Sequence, residues 1–237
     1  MSTGIVGDAS AIPGDIMQRS LTFLGSSIGK KVVMAATGLV LYGFVIGHMI
    51  GNLQIYLGPK AINDYGEFLR HFLHGQGLWM VRAGLLVAVG LHIWAATVLT
   101  LENWSARPVG YREWQAVEST YASRTMVWSG PILAAFIVYH LAHFTLGTVH
   151  PEFVPGEVYR NVVVGFQNPF VSAFYVLAMV ALGLHMYHGF WSMLQTLGLS
   201  HPRWNRVRLA ASLVLAGVVV LGNISVPLSV LAGLVHL

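Results

Sequence analysis

Five long apolar runs, separated by short polar segments, follow one another along the chain. They cover residues 32–53, 78–101, 125–149, 170–194 and 207–234, and their interiors contain no Asp, Glu or Lys. A helix needs about 20 mostly apolar residues to cross the hydrocarbon core of a bilayer. Each run meets that length, so the pattern predicts an all-α membrane protein with five transmembrane helices.

The composition supports this class. Of the 237 residues, 55% are apolar and only 9% are charged, whereas a soluble domain carries about 25% charged residues. The lack of cysteine excludes a disulfide scaffold, and the composition excludes a disordered chain and a nucleic-acid binder. Residues 1–30 contain Asp8 and Asp15 and no compact apolar region, unlike a secretory signal peptide. We expect a cytoplasmic or interfacial arm over 1–30 and a transmembrane domain over 31–237.

The basic residues are unevenly divided between the two ends of the predicted helices. Because cytoplasmic loops carry the excess of Lys and Arg, the distribution predicts a cytoplasmic N-terminus and, after five crossings, a C-terminus outside. The inner side receives Arg19, Lys30, Lys31, Arg107, Arg112, Arg124, Arg203, Arg206 and Arg208, and the outer side receives Lys60, Arg70, Arg82 and Arg160.

Histidines are unusually frequent inside the predicted helices. Ionisable residues within membrane helices are rare and usually functional. One such histidine is readily explained by a hydrogen bond to a neighbouring helix, but histidines on each of four helices indicate a shared role. The six are His48, His92, His140, His143, His185 and His188.

These histidines are predicted to lie at two depths. The first and third helices start inside, so at about 1.5 Å per residue His48 and His140 fall in the outer half of the membrane. The second and fourth helices run the other way, which brings His92 and His185 closer to the inner side. The two levels are predicted to be roughly 10 Å apart.

Two opposed imidazoles at the same depth can serve as the two axial ligands of a b-type haem iron. Two levels therefore predict two haems stacked across the bilayer inside a four-helix bundle. No carboxylate lies at these depths, which argues against a di-iron or zinc site. His143 and His188 follow His140 and His185 by three residues, and spacing alone leaves open which member of each pair ligates iron.

Glycines lie close to these histidines. Gly43, Gly47 and Gly51 form a stripe on the first predicted helix, and Gly90 and Gly183 lie near the histidines of the second and fourth. Such residues suit close helix–helix contact and the surface of a flat macrocycle equally well.

Two stretches resemble the cytochrome b subunit of succinate:quinone oxidoreductases, in the single-subunit, five-helix, two-haem branch related to quinol:fumarate reductases. They are GHMIGNLQIYLGPKAINDYGEFLR at 47–70 and ALGLHMYHGFWSMLQTLGLSHPRWNRVR at 181–208. The second contains His-x-x-His-Gly-Phe-Trp-Ser followed by Gln-Thr-Leu-Gly, which is the most specific element. The resemblance extends helix by helix over essentially the whole chain.

The resemblance implies one axial ligand on each of four helices. His48 and His92 match the ligands of the first two helices, and the Val-Tyr-His pattern favours His140 on the third. On the fourth, the family ligand is separated from Gly-Phe-Trp-Ser by three residues, which favours His185. In this family the outer haem lies between the first and third helices and the inner haem between the second and fourth. The implied pairs are His48 with His140 and His92 with His185, as the depths also indicate.

The resemblance further implies a membrane anchor that transfers electrons within succinate dehydrogenase. It would hold two haem b groups and bind a flavoprotein subunit with FAD and an iron–sulfur subunit on its basic cytoplasmic face. Electrons would pass through the haems to a membrane quinone, with menaquinone expected. The chain alone would not oxidise succinate. We expect a multi-pass protein of a prokaryotic inner membrane, in contact with lipid and able to form higher oligomers within its complex.

Quinone reduction requires a proton donor near the headgroup. Acidic residues near the outer haem act in menaquinone-using relatives, which points to Glu67 and Asp64 in the first outer loop; an ordinary amphipathic segment is the alternative. Arg82 is expected to contact an outer haem propionate, or instead to extend toward the interface.

Two other functions stay open at this stage. An ascorbate-dependent transmembrane cytochrome b also holds two haems between four helices but needs no inner-face partners. A histidine-lined proton or metal transporter would hold no haem and would be expected to show broken helices or mid-membrane acidic residues.

Overall fold

The computed structural model of the chain describes residues 22–106 and 121–237, and every long element in these ranges is an α-helix. Short 3₁₀ turns, Leu53–Leu57 and Pro202–Trp204, occur in two connections. The helices are α1 (Ser27–Asn52), α2 (Pro59–His71), α3 (Gln76–Ser105), α4 (Tyr121–Phe144), α5 (Val158–Gln167), α6 (Pro169–Thr196) and α7 (Asn205–Leu231).

Five of these helices, α1, α3, α4, α6 and α7, are long and apolar enough to cross a membrane. Their outward faces carry exposed aliphatic side chains, among them Leu86, Leu177 and Leu221. Apolar side chains on the outer surface of a bundle are suited to contact with lipid. The prediction of an all-α membrane protein with five transmembrane helices is confirmed.

Local chemistry shifts the ends of two helices from the predicted bounds. Helix α1 begins five residues before 32, because the Ser26 hydroxyl accepts a hydrogen bond from the Gly29 N–H at 3.1 Å and caps the first turn. Helix α4 ends at Phe144 rather than at 149. Gly147 follows with a φ of 72°, a conformation that favours glycine and turns the chain away from the helix axis.

Helix α6 is central to the membrane domain. It packs against α1, α4 and α7, and α1 also packs against α3. Glycines permit the close approach of α7: a Cβ atom added at Gly183 would lie 2.5 Å from Val220 Cγ2, and one added at Gly222 would lie 2.4 Å from Met49 Sδ. Helix α7 therefore lies outside the four histidine-bearing helices, against α6 and α1.

The short helices α2 and α5 pack against each other at one end of the bundle. Asn63 Oδ1 accepts a hydrogen bond from the Tyr159 N–H at 2.9 Å, and the Tyr159 hydroxyl donates to the His236 carbonyl at 3.0 Å. Ile62 and Val163 are buried beneath these bonds. The connections after the first and third spanning helices and the C-terminal segment thus share one face, as five crossings require.

The opposite face carries the start of α1, the end of α3 and the connection from α6 to α7. Lys30 on α1 forms an ion pair with Glu102 on α3 there. We predicted this face to be cytoplasmic from its basic residues, and that orientation stays a prediction. Residues 1–21 of the expected arm, with Arg19, and the loop positions Arg107 and Arg112 lie outside the described residues.

Candidate functional site

Two pairs of histidines face each other across the bundle. His48 on α1 lies opposite His140 on α4, with ring centroids 5.7 Å apart. His92 on α3 lies opposite His185 on α6, with ring centroids 6.2 Å apart. Each pair joins two helices that are not close neighbours in the backbone packing of the described residues. The paired side chains therefore project into the space between the helices.

The separation of the rings suits two ligands on one metal ion. A metal–imidazole nitrogen bond is about 2.0 Å long, so two imidazoles on opposite sides of one ion have centroids about 6 Å apart. Among residues 22–106 and 121–237, no group of three or more His, Asp or Glu could hold a metal ion. Two protein ligands for each metal fit a haem, in which the macrocycle supplies the remaining nitrogens.

The two pairs lie at different depths. The side chain of Thr37 reaches His92 from α1, and Thr37 precedes His48 by eleven residues on the same helix. Ser129 reaches His185 from α4 and precedes His140 by the same number. Eleven residues of helix span about 16 Å. This separation, taken between residues that contact the two pairs, exceeds the predicted 10 Å.

Hydroxyl groups on neighbouring helices contact three of the four histidines at Nδ1. The distances are 3.2 Å from Thr37 Oγ1 to His92, 3.3 Å from Ser129 Oγ to His185 and 3.4 Å from the Tyr175 hydroxyl to His140. The Thr37 hydroxyl donates its own hydrogen to the Val33 carbonyl at 2.7 Å. Thr37 must therefore accept from His92 Nδ1–H, which leaves the lone pair of Nε2 for a metal.

His143 and His188, the alternatives left open by spacing, face no histidine across the bundle. His143 is 1% exposed and packs against Phe144 and His150, with ring centroids 4.1 and 5.1 Å away. His188 is half-buried on α6, three residues after His185. The geometry thus favours His140 and His185 as the members of each pair that could share an iron.

The glycines near the histidines have two different roles. A Cβ atom at Gly43, Gly47 or Gly90 would meet nothing within 4 Å, whereas one at Gly51 would lie 2.6 Å from the ring of Tyr65. Gly183 approaches α7 in the same close way. The first three leave open space beside the histidine-bearing helices, and the other two permit contact between elements. Close contact between elements thus explains Gly51 and Gly183, and a macrocycle surface at Gly43, Gly47 and Gly90 stays a prediction.

Comparison with known proteins identifies the family of the chain. Residues 106–223, about half of the chain, match the family described as the succinate dehydrogenase/fumarate reductase transmembrane subunit. The chain belongs to this family. No curated protein and no solved structure matches it. The resemblance to the cytochrome b anchor of these enzymes is confirmed, and so is a multi-pass location in a membrane.

As a succinate dehydrogenase/fumarate reductase transmembrane subunit, the chain is the membrane component of an oxidoreductase complex and partners its catalytic subunits. Members of the family bind haem and quinone. The paired histidines fit the first of these groups in number, separation and hydrogen bonding.

The acidic residues predicted to act on quinone lie on the exposed face of α2. The Asp64 carboxylate pairs with Lys60 one turn earlier, and this hydrogen bond raises the pKa of the Lys60 side chain. Glu67 is exposed on the same helix. Tyr65 of α2 places its ring against Gly51, one turn from His48. A role for Asp64 and Glu67 stays a prediction.

Arg82, the residue predicted to meet a haem propionate, lies near the start of α3. Its guanidinium carbon lies 5.1 Å from the centre of the Trp79 ring, and Trp79 is 68% exposed. This cation–π contact holds the charge near the start of the helix. It fits a side chain that extends toward the interface, and contact with a propionate stays a prediction.

Two basic residues predicted for the inner docking face are buried within the subunit. Lys30 is 8% exposed and pairs with Glu102, and Arg208 is 6% exposed with its guanidinium 4.1 Å from the centre of the Trp191 ring. Neither is available to a partner. Sequence counting could not separate these cations from the exposed ones, which on this face include Lys31, Arg203 and Arg206.

The face that we predicted to be cytoplasmic also carries an open cavity of about 370 Å³ between α1 and α6. Its polar lining consists of Lys31, Ser192, Gln195 and Thr196. Ser192 follows His185 by seven residues, so it lies two turns further along nearly the same face of α6. The cavity therefore lies between the His92–His185 pair and the end of the bundle that carries Lys31.

Sequence reasoning missed the hydroxyl residues that support the histidines. Thr37, Ser129 and Tyr175 come from helices other than those of the histidines they contact. A hydroxyl residue in an apolar run commonly bonds back to its own helix, as Thr37 also does. No spacing rule along one helix reveals the partner on the next.

Proposed function

We propose that this chain is the electron-transferring membrane anchor of succinate dehydrogenase, with two b haems between its helices. The observation that carries the proposal is the pair of histidine contacts, His48 with His140 and His92 with His185, at ring separations of 5.7 and 6.2 Å. Family membership supports the enzyme complex. A haem bound at each pair would supply one-electron chemistry at a different depth of the membrane.

The residues around each pair would orient the ligands. Thr37 and Ser129 would hold the rings of His92 and His185 through Nδ1, so that Nε2 remains available to iron. Low polarity around the pairs favours neutral imidazole, the form that ligates metals. At the inner end, Lys31 beside the cavity would stabilise the carboxylates of the inner haem by charge-assisted hydrogen bonds.

The inner face would receive the catalytic partners, a flavoprotein subunit and an iron–sulfur subunit. Arg203 and Arg206 are exposed there and would attract acidic surface on a partner. This assignment places the N-terminus in the cytoplasm and the C-terminus outside, in a prokaryotic inner membrane. Electrons from succinate would enter near His92 and His185 and leave near His48 and His140.

A membrane quinone, with menaquinone as our choice, would be reduced near the outer pair. Glu67 and Asp64 would supply protons from the outer surface, where both are exposed on α2. Electron transfer to that side moves charge across the membrane and would couple the reaction to the membrane potential.

The two other functions receive less support. Membership of the succinate dehydrogenase/fumarate reductase family argues against a self-contained ascorbate-type cytochrome. A transporter with broken helices is disfavoured because α1, α3 and α6 each run unbroken past their histidines.

A haem count on the purified protein tests the proposal. We expect about two b haems per chain by pyridine haemochrome assay, and about one in His48→Ala and in His92→Ala. His188→Leu, on the same helix as a proposed ligand, is the control and should keep both haems. A parent protein without haem would overturn the proposal and favour a transporter. A single haem in the parent would show that one histidine pair is only structural.

A further inference from the structure

His143 is the most buried of the six histidines in the spanning helices, yet it faces no histidine across the bundle. Its Nδ1 lies 3.0 Å from the hydroxyl of Tyr175 on α6. The same hydroxyl lies 3.4 Å from Nδ1 of His140, one turn earlier on α4. One phenol on α6 therefore bridges two histidines of α4, only one of which is a proposed iron ligand.

We infer that Tyr175 and His143 form a hydrogen-bonded relay that orients His140 and tunes the electron affinity of the outer haem. This inference rests on the proposed haem ligation by His140. It assigns a positioning role to both residues, which act through His140 and not on the iron.

The direction of each hydrogen bond follows from proton counting. If Nε2 of His140 ligates iron, its neutral imidazole carries the proton on Nδ1. His140 then donates to the Tyr175 oxygen, and the single hydroxyl hydrogen of Tyr175 is donated to Nδ1 of His143. The second histidine thereby gains a function: it is the acceptor that keeps the tyrosine oxygen available to His140.

The surroundings hold the tyrosine in this position. Tyr175 is 6% exposed, and the rings of Phe136 and Phe166 pack edge-on against it at 5.0 and 4.9 Å. A Cβ atom at Gly165 would lie 3.1 Å from Nε2 of His143, so the α5 backbone closes the far side of that ring. Neither side chain has room to swing to another partner.

The expected effect concerns the outer haem alone. A hydrogen bond accepted from the Nδ1–H of a ligating histidine raises the basicity of the ligand and stabilises the more positively charged metal. Loss of the relay should therefore favour ferrous iron. The inner pair has a different arrangement, since the hydroxyls of Thr37 and Ser129 bond back to carbonyls of their own helices.

Tyr175→Phe tests the relay, because it removes the hydroxyl and keeps the packed ring. In the complex extracted from the membrane, we expect two haems per chain and an outer-haem midpoint potential raised by about 59 mV, which corresponds to a tenfold change in a one-electron equilibrium. The inner haem should not change. His48→Ala, which should retain only the inner haem, identifies which potential belongs to which haem.

Tyr139→Phe is the matched control. Tyr139 precedes His140 and packs against His143 with ring centroids 5.5 Å apart, but its hydroxyl makes no hydrogen bond to a histidine among the described residues. This variant should leave both potentials unchanged. An unchanged outer potential in Tyr175→Phe, or an equal shift in both variants, would overturn the relay.

His143→Leu provides a second, independent test of the relay. It removes the terminal acceptor without touching His140, so we expect both haems with a smaller upward shift of the outer potential. Loss of the outer haem in this variant would identify His143 as the ligand and overturn the inference. A parent protein without haem would instead refute the proposed function, so the two failures are distinguishable.

Discussion

Substitution of Gly183 by alanine should disturb the contact that fixes α6 against α7. Gly183 is buried two residues before His185, and a Cβ atom there would lie 2.5 Å from Val220 Cγ2. Carbon atoms in contact are normally about 3.5–4.0 Å apart. The valine has little freedom to yield, because one χ1 rotamer dominates for this residue in a helix. Helix α6 or α7 must therefore move.

The size of the effect follows from two opposing contributions. Overpacking of a well-packed interface costs about 1–3 kcal/mol, and replacement of glycine by alanine within a helix returns about 0.8–1.0 kcal/mol. Gly217→Ala on α7 has the second contribution alone, since a Cβ atom there meets nothing within 4 Å. We expect Gly183→Ala to be about 2 kcal/mol less stable than Gly217→Ala.

Thermal unfolding in detergent, followed by circular dichroism, measures this difference. For a chain of this length, about 2 kcal/mol corresponds to roughly 4–8 °C in Tm. Val220→Ala should rescue Gly183→Ala, because it removes the methyl group that the new Cβ meets, and the double-mutant cycle should show the coupling. Equal stability of the two glycine variants, or no rescue by Val220→Ala, would refute the packing described for α6 and α7.

Three further predictions concern a ligand-supporting hydroxyl, a buried ion pair and a proposed proton donor. Thr37→Val should raise the inner-haem potential by about 40 mV in a redox titration, the equivalent of about 1 kcal/mol lost with one hydrogen bond; Thr100→Val, whose hydroxyl bonds only to its own helix, should cause no shift. Glu102→Gln should lower the unfolding free energy by about 1–3 kcal/mol, because it leaves Lys30 buried without its anion; Lys30→Met in the same chain should restore part of the loss. Glu67→Gln should slow quinone reduction at least about tenfold in steady-state assays while both haems stay, since it removes a proposed proton donor; an unchanged rate would exclude that carboxylate.

The helical architecture could be predicted because its signals are local. Apolar runs of bilayer length specify the five spanning helices, and five crossings require α2, α5 and the C-terminal segment to share one face. Helix ends were harder to place, because they depend on single contacts such as the Ser26 cap and the turn at Gly147. The candidate histidine ligands could be predicted for a related reason. The rise per residue of a helix is fixed, so the depth of each histidine along its helix can be calculated.

The side of each helix that meets its neighbours could be read only from the packed bundle. The presence of histidines on four helices, and their prediction at two depths, followed from the chain and the rise per residue of a helix. Rotation about the helix axis depends on packing, and it is packing that turns His140 toward His48 and places His143 against Tyr175. The same packing buries Lys30 against Glu102, although the next residue in the chain, Lys31, is exposed. Length and period are properties of one helix, whereas facing and burial are properties of several helices packed together.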